Sequence, residues 1–358
     1  MSKRLKIAVY AISKNEASFV KRFCESAKDA DLILIADTGS TDDTTVIAAE
    51  CGAIVHDICI TPWRFDTARN AALALVPRDI DICISLDLDE VLEPGWREEV
   101  ERLWVNGVTR LRYPFDWGSG IKFLSEKIHA RHGYLWHHPC HEYPVPDGRI
   151  TEVWGQSDKL LVTHHPDPDK SRGQYLDLLA LSVKEDPNCP RNAFYYAREL
   201  TFYQKWHEAI AALNKYLAMP QATWRDDRCY AMRLLGKCYA ALGDQQQAEA
   251  HLLRACAESS GTREPWCELA MLYYQQSRWT ECYSTAIRAL SITERALIYT
   301  AEPAAWGSWP HDLAAISAYR LGLKDAAIEH GRLAVEHSPD DVRLAENLKW
   351  YMGAHNGD

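Results

Sequence analysis

Ile84-Ser85-Leu86-Asp87-Leu88-Asp89-Glu90 is the stretch on which the reading of the chain turns. A short apolar run of strand character delivers carboxylates two residues apart at its carboxyl end. If the strand conformation continues, alternation puts Asp87 and Asp89 on one side, where both can face a divalent cation and the diphosphate it bridges. The bland alternative is a helix N-cap followed by acidic first-turn residues. What surrounds the stretch separates the two readings.

Four similar apolar runs lie nearby: Lys6 to Ile12, Leu32 to Ala36, Ala53 to His56 and Thr109 to Tyr113. Helical stretches fall between the runs, around Ala17 to Ala27, Asp43 to Glu50, Asp66 to Leu75 and Trp96 to Trp104. Strand alternating with helix predicts a largely parallel sheet covered on both faces, with ligands at the carboxyl ends of its strands. Two more polar loops leave that same edge. One is Ser13-Lys14-Asn15-Glu16. The other is Asp37-Thr38-Gly39-Ser40-Thr41-Asp42, a tight turn with a ready helix cap, in which Asp37 can accept from the imide N–H of a uracil.

From about 116 to 170 the chain becomes rich in Gly, Pro, Trp and His, with short strand candidates at Lys127 to Arg131 and Lys159 to Thr163. It reads as a loop-rich extension on the substrate side. Beyond Pro168 amphipathic helical periodicity takes over. Leu234-Leu235-Gly236, Tyr239, Gly243, Ala248 and Ala255 recur about 34 residues later as Leu269-Ala270, Tyr273, Ser277, Cys282 and Ala289. Helix pairs at roughly 190 to 218 and 309 to 337 fit the same scheme, and an insertion near 291 to 308 breaks the period. The division expected is therefore an α/β domain over 1–170 and an all-α repeat domain over 171–358.

Composition bounds the partners. The chain has 358 residues, 47% hydrophobic and 25% charged, with a formal net charge of −10, which argues against a protein whose main task is gripping a polyanion. Eleven cysteines without C-x-x-C pairs predict free thiols in a reducing cytoplasm. The apolar run after Met1-Ser2-Lys3-Arg4 is short, ends at Lys14-Asn15-Glu16, and is read as a buried strand rather than a signal peptide. No stretch approaches the 18 or so apolar residues of a membrane span.

Taken in order, K-N-E after the first strand, D-T-G-S-T-D after the second, Arg69-Asn70 in the third helix and L-D-x-D-E after the fourth strand resemble family 2 glycosyltransferases of the GT-A fold, a Rossmann-like architecture. A subgroup joined to tetratricopeptide repeats is similar across nearly the whole chain, as are the bacteriocin S-glycosyltransferases in plan. That subgroup has a His-Glu pair matching His141-Glu142 and a later His matching His164 or His165. The resemblance implies that Ser13, Asn15, Glu16 and Asp37 help bind the base and ribose of a nucleotide-sugar donor. It implies Asp89 as a ligand of Mn²⁺ or Mg²⁺, Asp87 near ribose or metal, and His164 or His165 completing the shell. Arg69 becomes a candidate for donor phosphate or base contacts, against the alternative of a buried pair with Asp66. The implied reaction is direct displacement with inversion, the base being Glu142 or, second, Glu90.

The repeats point to a peptide or protein acceptor, or to pairing with a second copy. Glycan or lipid-linked acceptors rank next, and modified DNA last. The rivals are a nucleotidyltransferase, which would prefer a glycine- and arginine-rich loop after the first strand, and a non-catalytic scaffold, which would have lost its carboxylates. His129, His132, His137, His138, Cys140 and His141 invite a zinc reading, but no second half with suitable ligands is evident. An acceptor loop is preferred, with Trp117, Trp136 and Trp154 as candidates for stacking on sugar.

Overall fold

The computed structural model describes residues 4–167 and 173–353. It divides into two compact units, Met1–Pro187 and Asn188–Asp358. The boundary drawn from sequence at 170/171 lies outside the described residues.

The first unit opens with β1 (Ile7–Ser13), all seven residues of which are buried. A continuous apolar run is what a strand covered on both faces needs. Its residues alternate between two cores: Ile7, Val9 and Ala11 join one with Val20, Phe23, Trp96 and Val100, while Ala8, Tyr10 and Ile12 join the other with Ala68, Ala72 and Leu73. The first core is closed by α1 (Ala17–Ser26) and α4 (Trp96–Leu103), the second by α3 (Phe65–Leu75). Between them run β2 (Leu32–Asp37), α2 (Thr44–Glu50), β3 (Ile54–Asp57), β4 (Ile82–Ser85) and β5 (Glu90–Leu92). They are followed by β6 (Arg110–Gly118), β7 (Ile121–Ala130), β8 (Tyr134–His137), β9 (Tyr143–Pro146), β10 (Trp154–Gln156), β11 (Val162–His164) and α5 (Tyr175–Glu185).

The main sheet has the order β3-β2-β1-β4-β7-β6-β11-β5, with β10 also on β6. β3, β2, β1 and β4 are parallel, so Ser13, Asp37 and Ser85 come out at one edge. The region expected to be loop-rich supplies ten-residue β7, which enters antiparallel between β4 and β6. Short β5 pairs antiparallel with β11, placing Glu90 opposite His164. β8 and β9 form a separate hairpin.

The second unit contains four helix pairs and a last helix: α6 (Pro190–Phe202) with α7 (Trp206–Leu217), α8 (Arg225–Ala241) with α9 (Gln245–Glu258), α10 (Arg263–Gln275) with α11 (Trp279–Leu290), α12 (Ser308–Arg320) with α13 (Lys324–His337), then α14 (Val342–Met352). Each pair turns through one residue of positive φ: Gln204, Gly243, Ser277 and Gly322. The next backbone N–H reaches back to Leu200, Tyr239, Tyr273 and Ala318 respectively, at 2.9–3.0 Å. The same C-terminal cap is thus repeated four times. Among the described residues no helix is long and apolar enough to cross a membrane.

Candidate active site

The acidic stretch does not continue as a strand. β4 stops at Ser85, and the Glu90 N–H closes a turn on the Asp87 carbonyl at 2.9 Å. The alternation expected for Asp87 and Asp89 is lost in that turn, and the two carboxylates engage different partners.

Asp87 faces cations of the protein. Its Oδ1 accepts from Arg69 Nη2 at 2.5 Å, and its Oδ2 lies 3.3 Å from Lys127 Nζ. Arg69, 4% exposed, also donates through Nε to Glu142 Oε1 at 2.5 Å and through Nη1 to Ser85 Oγ at 3.1 Å, with its guanidinium over the Trp136 ring. The pair with Asp66 does not form, because Arg64 takes Asp66 with two nitrogens. Arg69 therefore ties the acidic turn to the β8–β9 loop that carries Glu142. Its neighbour Asn70 pins the same hairpin, pairing with both the N–H and the carbonyl of Trp136.

Glu90 is enclosed. It accepts from the Asp87 N–H at 3.0 Å and from Lys127 Nζ at 2.7 Å, and burial holds its pKa above the ordinary carboxylate value. Burial alone would lower the Lys127 pKa, but Asp87 and Glu90 outweigh it and keep the ammonium charged. Glu142 differs: Arg69 engages Oε1, while Oε2 takes no hydrogen bond from another described residue.

Asp89 meets His164. Asp89 Oδ2 and His164 Nε2 are 3.4 Å apart, and both side chains are buried. His164 stacks on Trp117 with centroids 4.1 Å apart, and its Nδ1 is 3.4 Å from the Trp117 carbonyl. With Nδ1 toward the Trp117 carbonyl, Nε2 is the nitrogen that faces Asp89: protonated, it donates to the carboxylate, and deprotonated, it would offer its lone pair to a cation beside that carboxylate. Burial lowers the His164 pKa, and the hydrogen bond and charge of Asp89 outweigh it to leave the group raised. His165 contributes its backbone N–H to the Asp89 carbonyl at 2.7 Å, while its imidazole pKa is lowered by burial and by Arg22.

The first two loops spend their polar side chains on each other. Asp37, 2% exposed, accepts from Ser13 Oγ, Ser40 Oγ, Gly39 N and Ser40 N, at 2.5–2.9 Å. Burial raises its pKa, but these donors outweigh that and hold it below the ordinary range. All four acceptor positions of the carboxylate are in use, so in this conformation a uracil imide finds none. Asn15, at φ +54, takes the Thr41 N–H at 2.7 Å on its side chain and gives its own N–H to Ser40 Oγ. The Glu16 N–H donates to Thr44 Oγ1.

The six histidine and cysteine positions do not collect into one cluster. His129 is fully buried, its Nε2 accepting from the Tyr10 hydroxyl at 3.0 Å, which in turn accepts from Trp136 Nε1. His132 bonds the Arg78 carbonyl. Among the described residues no group of three or more His, Cys, Asp and Glu is gathered as a ready metal cage. Of the tryptophans, Trp136 is core, Trp154 packs under Arg110 and Arg112, and Trp117, 45% exposed, stands at the Asp89–His164 pair. Lys127 and Ser85 were not anticipated. Lys127 is one of several charged residues in β7, and nothing in its spacing sets it apart.

The ligand edge of the first unit's sheet thus carries an acidic turn after β4, tied by an arginine from α3. Residues 9–117, in the first unit, match the model of Glycosyl transferase family 2. An uncharacterized glycosyltransferase of Rickettsia bellii is 29% identical over 102 residues, which is 28% of this chain and 33% of that protein. A TPR repeat-containing protein of Synechococcus elongatus is 35% identical over 170 residues, covering 45% of this chain and 40% of the relative. The matched regions span about a third to two fifths of these relatives' own length. A solved structure described as YrrB, a TPR protein with an unusual peptide-binding site, aligns with 50% of this chain and 84% of its own at 12% identity and a TM-score of 0.40.

Proposed function

We propose that the protein is an inverting, metal-dependent glycosyltransferase that moves a sugar from a nucleotide sugar, UDP-linked, to a peptide or protein side chain. The observation that carries the reading is the Asp89–His164 pair, 3.4 Å apart at the carboxyl edge of the sheet and backed by Trp117. Two donors bound to one cation at about 2.1 Å each lie about 3 Å apart or slightly more, so Asp89 and His164 would hold Mn²⁺ or Mg²⁺ between them.

A divalent cation bound there would stabilise the charge that builds on the leaving diphosphate. Asp87, held by Arg69 and Lys127, and Glu90, enclosed by Lys127, shape the acidic turn without being ligands themselves. Glu142 is the base: Arg69 fixes one carboxylate oxygen, and the other is open to take the acceptor proton as the nucleophile attacks the anomeric carbon. Ser13, Asn15, Glu16 and Asp37 build the cross-linked floor on which base and ribose rest. Trp117 offers an aromatic face for a sugar or an acceptor side chain. The acceptor class rests on helical repeats in the same chain as a transferase domain.

The test is calorimetric titration of UDP into the protein with Mn²⁺, with EDTA, and into Asp89→Ala. Binding that requires the metal and is lost in the variant supports the donor site. Equal binding in all three conditions overturns the metal assignment, and no binding in any overturns the UDP assignment.

A further inference from the structure

Between α11 and α12 the repeat is interrupted, and the chain over 292–302 runs without helix or strand. This segment reaches the first helices of three successive pairs. On α6, the Tyr195 ring meets the Tyr299 ring with centroids 6.2 Å apart. On α8, Asp227 accepts from the Tyr299 hydroxyl, Arg233 Nη1 donates to the Thr300 carbonyl at 3.1 Å, and Arg233 Nη2 lies 3.5 Å from Glu302. On α10, Glu264 accepts the Glu302 N–H at 3.2 Å, and Arg263 Nε donates to the Ile292 carbonyl at 2.7 Å.

Two features distinguish this from an ordinary loop. Three of the contacts grip main-chain groups, those of Ile292, Thr300 and Glu302, which any extended peptide presents. The remaining side-chain contacts read an aromatic hydroxyl and, three residues on, a carboxylate. Beneath the segment, α10, α11 and α12 already share a core through Leu269, Ala270, Cys282, Ala286, Leu313 and Ala314, and no residue of 292–302 belongs to that cluster. Ile292, Thr300 and Ala301 are themselves buried, so the segment covers the face it lies on without adding to that cluster.

We propose that residues 292–302 are an intrachain peptide occupying the face made by α6, α8 and α10, and that this face takes an extended peptide with an aromatic residue followed three positions later by an acidic one once the segment leaves. The proposal rests on the reading of the helical unit as the part that captures a peptide acceptor. It makes the segment a competitor of that acceptor, so capture is weak until the segment is loosened.

The probe is a fluorescein-labelled synthetic peptide of residues 292–302, read by anisotropy against the full chain, against Tyr299→Ala, and against Tyr299→Ala with Arg233→Ala. The expected result is at least tenfold tighter binding to Tyr299→Ala than to the unaltered chain, and loss of that gain on adding Arg233→Ala. Equal affinity for the first two proteins, or equal binding of a peptide lacking both the tyrosine and the final glutamate, overturns it. Hydrogen exchange on the unaltered chain guards against a variant that fails to fold. Segment amides should exchange at least tenfold faster than those of α8 and α10, and exchange at the same rate as those helices overturns the proposal. None of these readouts needs sugar transfer, so failure here is distinct from failure of UDP binding.

Discussion

Arg69 carries two carboxylates on one guanidinium, Asp87 at 2.5 Å and Glu142 at 2.5 Å, from a position almost sealed from solvent. Removing it would leave buried charge uncompensated, which costs about 3–5 kcal/mol and confuses stability with function. Lysine is the sharper probe, because an ammonium is a point charge that cannot span both partners in a fixed plane. We expect Arg69→Lys to bind UDP within a few fold of the parent and to lose about 100-fold in kcat, the effect of a base displaced by about an ångström. A parallel loss of UDP affinity would instead make Arg69 a donor contact. Asp37 poses the opposite question. Its carboxylate is saturated by the turn it belongs to, so Asp37→Asn, which brings an NH₂ among four donors, should lower stability by about 1–3 kcal/mol in urea unfolding. Weakened UDP binding with unchanged stability would contradict that. At this scale the sequence names single residues but not the partners that the fold gives them. Asp89, Glu142 and Arg69 could be picked from motifs, but the links from 69 to 142 and from 87 to 127 are made by the fold and leave no trace in local spacing.

The elements were legible where periodicity was strong. β1, β2 and α1 to α4 lie within a residue or two of their expected bounds, because a buried strand or an amphipathic helix writes its burial into consecutive residues. β7 was read as a short candidate at Lys127 to Arg131 because Lys122, Glu126, Lys127 and His129 interrupt its apolar character. Its pairing with β4 and β6 on both sides, not its composition, makes it a strand. In the helical unit the repeat signature had a direct steric meaning. Gly236 stands where a Cβ would lie 2.7 Å from Leu252 Cγ, so α8 and α9 approach through the missing side chain. Gly236→Ala gains about 1 kcal/mol of helix propensity and loses about 1–3 kcal/mol to overpacking. We expect a net fall in the melting temperature of the helical unit, partly recovered when Leu252→Ala makes room. A rise in the single variant would show that the approach is not tight.

Across the whole molecule, strand periodicity gives way to helical periodicity, and the chain divides into two compact units with α5 in the first. Each unit also holds a buried histidine whose pKa is depressed, which predicts an acid response. In the first, His129 is fully buried, and its pKa is pushed down to about 4 by that burial, partly offset by its hydrogen bond to the Ala130 carbonyl. In the second, His311 is lowered to about 4 by burial and by His330 and His337 beside it. A group whose folded pKa is depressed binds its proton more readily in the unfolded chain. Its contribution is therefore complete above the ordinary value of 6.5, shrinks as pH falls, and levels off below about 4. For His129 the difference amounts to about 3 kcal/mol. His164, raised by Asp89, acts in the opposite sense, so the parent slope alone does not identify its origin. Comparison with variants does. Calorimetric scans between pH 8 and 4.5 should show His129→Gln starting lower than the parent and losing less of its melting temperature on acidification. His311→Gln should flatten only the transition of the helical unit. If His129→Gln keeps the full acid slope, the buried imidazole is not what makes the first unit acid-sensitive, and the charge network around Glu90 and Lys127 becomes the place to look.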